Sequence, residues 1–108
     1  MLQREIQELK SRLEWGQPAL TIVDVRDRHT YNHGHIMGAV PIPMEDLVNR
    51  AKTCLNQHRD IYIYGDSDEE TSRAARTLQS AGFDSVCELK GGLNAWKNVG
   101  GATEGVDA

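Results

Sequence analysis

The feature that most constrains this chain is an alternation. Short β-branched runs exchange places with segments whose apolar residues recur at helical spacing. Leu20-Thr21-Ile22-Val23-Asp24-Val25 and Ile61-Tyr62-Ile63-Tyr64 are too continuously apolar for a sheet with one wet face. Such runs suit strands buried on both sides, and a parallel sheet covered by helices on both faces buries them that way. The expected fold is therefore α/β, with right-handed crossovers.

The helical segments fill the gaps. Leu2, Ile6, Leu9 and Leu13 make one stripe over residues 2–14, which Gly16 and Pro18 end. Trp15 is placed to pack against that helix. Arg28 to Asn32 suits a short turn. Met44 to Asn56 reads as a helix with Leu47, Val48, Ala51 and Leu55 inward. Residues 68–81 read as another, with Thr71, Ala74, Ala75, Leu78 and Ala81 inward and Gly82 in position for a left-handed cap. Val86 to Leu89 follows as a strand, and Gly91-Gly92 leads into a last helix through Trp96. We assign residues 1–100 to one domain and expect 101–108 to be a flexible tail.

With 108 residues, the chain has room for one core. Its net charge of −4, without a basic run, leaves no electrostatic footprint for nucleic acid or an anionic membrane. No apolar run approaches a membrane span, and the polar start lacks a signal-peptide core. A monomer in the cytoplasm is the expectation, with another protein as the candidate partner. Cys54 and Cys87 show no metal spacing and read as free thiols buried as small hydrophobes. No cofactor is called for.

Ligands of parallel α/β sheets bind at the carboxyl ends of strands, which points to the loop after Tyr64. There a strand feeds directly into a helix N-terminus, whose free N–H groups and dipole favour anions. The loop, Gly65-Asp66-Ser67-Asp68-Glu69-Glu70-Thr71, has no cysteine and carries four carboxylates. At ~6 Å and an effective dielectric near 20, each would oppose a bound anion by roughly 2–3 kcal/mol before screening. The same residues match a capping box, with Ser67 at the N-cap and Glu70 at N3.

Three segments carry a resemblance. Ile22-Val23-Asp24-Val25-Arg26 looks like the central-strand motif of the rhodanese-like family. Tyr31-x-x-Gly34-His35-Ile36-x-Gly38-Ala39, followed by Ile42-Pro43, is similar to its second motif, and Gly91-Gly92-Leu93-x-x-Trp96 resembles its last. The resemblance implies a three-layer sandwich with a five-stranded parallel sheet. Active members of that family carry a persulfide on a cysteine directly after the strand. Aligned on Tyr64 and on Ala74-Ala75, Gly65 falls on that cysteine, Glu70 on the usual arginine and Thr71 on the usual serine. Classical thiosulfate sulfurtransferase activity is therefore not expected, and no catalytic residue is assigned.

Within the family motifs, Asp24 and Arg26 are expected to pair and anchor loops beside the site. His35 is expected to tie down its own loop, and Trp96 to pack in the core. His29 and His33 lie one helical turn apart, but without the partners of a metal site they read as surface histidines. Three functions stay open at this stage. One is a degenerate module for binding or regulation. The others are an acidic loop that holds a cation and sulfur transfer with a partner that supplies the cysteine.

Overall fold

A computed structural model of the chain describes residues 4–16 and 19–106. Among the described residues there are five α-helices: α1 (Arg4–Glu14), α2 (Arg28–His33), α3 (Leu47–Cys54), α4 (Asp68–Ser80) and α5 (Gly92–Asn98). The strands are β1 (Leu20–Asp24), β2 (His35–Ile36), β3 (Val40–Pro41), β4 (Asp60–Tyr64), β5 (Val86–Glu88) and β6 (Thr103–Glu104). A 3-10 turn, Met44–Asp46, precedes α3. The assignments at Leu2 and Pro18 fall outside the described residues.

The main sheet is parallel, in the order β3-β1-β4-β5. Its two central strands pair in full register, Leu20 with Asp60 through Asp24 with Tyr64. Side chains alternate between the faces of these strands. Ile22, Tyr62 and Tyr64 join Ile6 and Leu9 of α1 and Ala95 and Trp96 of α5 in one cluster. Val23, Ile61 and Ile63 join Leu47 and Ala51 of α3 and Ala74, Ala75 and Leu78 of α4 in the other. These are the three layers expected from the continuous apolar runs.

Four strands make up the parallel sheet, rather than the five implied by the resemblance. The remaining pair forms a separate antiparallel ribbon, His35 opposite Glu104 and Ile36 opposite Thr103. The same ribbon uses Thr103 and Glu104, inside the segment expected to be a flexible tail. Ala102 O accepts from Met37 N–H at 3.0 Å and from Trp96 Nε1 at 2.8 Å, and Val106 N–H donates to Asn32 O at 3.0 Å. A Cβ at Gly101 would overlap the Trp96 indole, so a glycine is what lets this segment cross the ring. Asp107 and Ala108 lie outside the described residues.

Four side chains depart from expectation. Trp15 is 79% exposed, in a turn that carries it off the helix, and Leu13 is 42% exposed beyond the buried part of the α1 stripe. Cys54 is exposed on the outer side of α3, and Cys87 is only partly buried, although both were expected inside. None of the described helices is long and apolar enough to cross a membrane.

Candidate functional site

A pocket of about 380 Å³ opens at the carboxyl end of β4. Gly65, Asp66, Ser67 and Asp68 form one wall, Gly91, Gly92, Leu93 and Asn94 the other, and Arg26 reaches in between. The sequence pointed to the first wall. Gly91, Gly92 and Leu93 had entered only as a family motif and Asn94 not at all, because a residue in the first turn of a short helix carries no signal of which way it faces.

The loop from Gly65 to Thr71 bends so that backbone N–H groups meet side chains of the first turns of α4. Gly65 N–H donates to Thr71 Oγ1 at 2.8 Å, and Asp66 N–H donates to Glu70 Oε1 at 2.8 Å. Across the pocket, Gly91 N–H donates to Asp68 Oδ1 at 2.8 Å. Ser67 caps the helix, its Oγ accepting from Glu70 N–H at 3.1 Å. A capping box would return the N3 glutamate to the N-cap N–H. Here Glu70 reaches one residue further back, to Asp66. The Gly65, Asp66, Glu70 and Gly91 N–H groups are thus each held by an oxygen of the chain itself.

Gly65 is buried, and the Glu70 side chain lies in the space that a Cβ would take. A Cβ built there would overlap Glu70 Oε1 and come within 3.1 Å of the Glu70 Cδ and Cγ. Gly92 faces it, where a Cβ would lie 3.3 Å from Gly65 O. Gly91 takes a left-handed conformation, φ 83°, which turns the chain into α5. Partial desolvation, then the Glu70 charge, pushes the Asp66 carboxyl above the usual carboxylate range. Asp68 and Glu70 are committed to backbone donors, and no group of three or more His, Cys, Asp or Glu among the described residues could hold a metal ion.

Beneath the loop lies a buried ionic frame. Arg26 Nη2 and Asp24 Oδ2 are 2.6 Å apart, and Asp24 is fully buried. Arg26 N–H donates to Asp24 Oδ1 at 2.9 Å, and Nη2 also donates to Gly34 O at 2.6 Å. The guanidinium lies 5.3 Å from the centre of the Tyr64 ring, a cation–π distance. His35 stacks on Tyr31 with ring centres 3.7 Å apart, and its Nδ1 lies 2.7 Å from Tyr31 O. Its Nε2 faces Glu104 Oε1 at 3.4 Å, which ties the β2–β6 ribbon to the frame. Trp96 is 2% exposed in the core below α5.

Neither cysteine lines the pocket. The Cys87 thiol is pushed up by desolvation and by Glu8, which lowers its thiolate fraction. His29 and His33 stand on the exposed face of α2, their Nε2 atoms 3.2 Å apart.

Comparison with known proteins places this geometry. The Alr3790 protein from Anabaena sp., a solved structure, is 63% identical and superposes with a TM-score of 0.91, over 95% of this chain and 92% of that one. The putative sulfur carrier protein YrkF of Bacillus subtilis is 37% identical over 78 residues, 72% of this chain and 42% of that protein. The thiosulfate sulfurtransferase GlpE of Shewanella oneidensis is 33% identical over 78 residues, 72% of this chain and 76% of that one. The chain spans 64% and 42% of the length of two Bacillus subtilis relatives. A family model described as a rhodanese-like domain matches residues 5–99. With that match over most of its length and the strand–loop–helix pocket in place, the chain belongs to the rhodanese-like domain family, and is related to sulfur carrier and sulfurtransferase proteins.

Proposed function

We propose that this chain is a catalytically degenerate rhodanese-like domain that works by binding, in a regulatory role, rather than by moving sulfur. One observation carries the reading: the Glu70 carboxylate accepts from Asp66 N–H beside Gly65, where active relatives are expected to hold an anionic sulfur. No cysteine stands at that position, and a donor beside it is taken by the chain's own carboxylate. A persulfide offered by a partner would meet the Asp66 and Glu70 charges in the same place, so shared sulfur transfer gains nothing from this pocket. A cation is not favoured either, since no group of three or more His, Cys, Asp or Glu among the described residues could hold a metal ion. Free thiols, one of them exposed, are in keeping with a reducing compartment such as the cytoplasm.

The test is a thiosulfate:cyanide sulfurtransferase assay on the purified protein, repeated after alkylation of Cys54 and Cys87. Background rates in both samples are expected. Turnover that alkylation abolishes would overturn the reading.

A further inference from the structure

The outer sides of α3 and α4 leave a groove of about 630 Å³ between them, away from the loop. Its floor is Val48, Thr77 and Ala81, and its walls carry Lys52, Arg73 and Arg76. All three cations are exposed, and none makes a hydrogen bond or ion pair among the described residues. No carboxylate lines the groove. That is a one-sign surface in a chain whose net charge is −4. Arg73 and Arg76 lie one turn apart on α4, and Glu69, one turn before Arg73, makes no ion pair with it among the described residues. Backbone N–H groups along the sides of the two helices are already bonded within them, so the groove offers a small free anion only side-chain cations. An anionic side chain beside an apolar one fits better, with the carboxylates on the walls and the apolar group over Val48 and Ala81.

We infer that the α3–α4 groove docks an acidic, amphipathic segment of a partner protein, with carboxylates on Lys52, Arg73 and Arg76. This names the partner chemistry and the surface for the binding role proposed above, and rests on that role. Arg73 to Ser80 covers about 10 Å of helix, enough for two turns of a partner segment. A nucleic acid is disfavoured, because three cations release few counterions while the rest of the chain repels a polyanion.

The experiment follows backbone amide shifts of the intact protein during titration with a synthetic helical peptide of Glu and Leu residues, and with its Gln-for-Glu counterpart. Shifts confined to residues 48–55 and 73–81, at peptide concentrations of about 0.1–1 mM, are expected with the Glu peptide alone. The triple variant Lys52→Gln/Arg73→Gln/Arg76→Gln should weaken binding on the order of tenfold or more. Binding that is equal for the Gln peptide, unaffected by the triple variant, or absent at about 1 mM overturns the inference. So do shifts at the same residues on raising protein concentration alone, which would place a second copy in the groove, and tighter binding of a single-stranded oligonucleotide. These variants leave residues 65–71 intact. Their failure would leave the sulfurtransferase result standing, and the converse also holds.

Discussion

Two regions meet at the pocket and satisfy their polar groups in opposite ways. The frame of Asp24, Arg26 and His35 buries opposite charges against each other and against backbone carbonyls. Its groups belong to strand ends and to a loop that the sheet already holds in place. The Gly65–Thr71 loop instead turns carboxylate and hydroxyl oxygens of α4 onto backbone N–H groups. The loop answers several of its own donors, Gly65 and Asp66 N–H among them. On the reading proposed above, the frame holds the scaffold while helix capping takes the place of sulfur chemistry.

Breaking the frame should have the largest effect. Arg26→Ala leaves the fully buried Asp24 carboxylate without its partner, and should cost about 3–5 kcal/mol of stability in urea unfolding. A loss as small as that of a surface ion pair would erase the distinction drawn between the two regions. Gly65→Cys should come next. Its Cβ must displace Glu70, at a cost of about 1–3 kcal/mol, and transfer from thiosulfate should stay near background because the cradle remains acidic. Robust transfer by this single variant would show that the loop charges matter less than the missing nucleophile.

Smaller effects sharpen the comparison. Ser67→Ala should destabilise by about 1 kcal/mol through loss of the α4 cap, read as a shift in the urea midpoint at unchanged slope. Asp66→Asn should stabilise slightly at neutral pH. The folded state holds the Asp66 proton more tightly than the unfolded chain does, so the ionised carboxylate opposes folding above its folded pKa, and this opposition fades as pH falls through that value. The gain from Asn should therefore vanish on acidification in paired thermal melts. A gain that grows at low pH would contradict the direction of the shift.

Much of the layering was legible, because residues such as Ile22 and Val23 are apolar in sequence neighbours that face opposite ways, which demands helices on both sides. Short elements were not. A two-residue strand such as Thr103–Glu104 has no alternation to read, and its pairing with His35–Ile36 is decided by contacts some 67 residues away in sequence. Exposure of Trp15 and Cys54 was missed because residue type alone argues for burial and says nothing about which side of a turn or helix the chain presents. At the loop, the lack of a cysteine and the run of carboxylates through Glu70 were plain in the sequence. The reach of Glu70 to Asp66 N–H was not, since a capping box predicts the neighbouring N–H instead.

The central claim is that this pocket no longer carries sulfur, and an intact-mass measurement tests it most directly. The purified, fully reduced protein is incubated with thiosulfate, desalted and weighed, with and without cyanide. The account predicts one unchanged mass in both samples. A species heavier by a single sulfur, which maps to Cys54 or Cys87 and which cyanide removes, would contradict it.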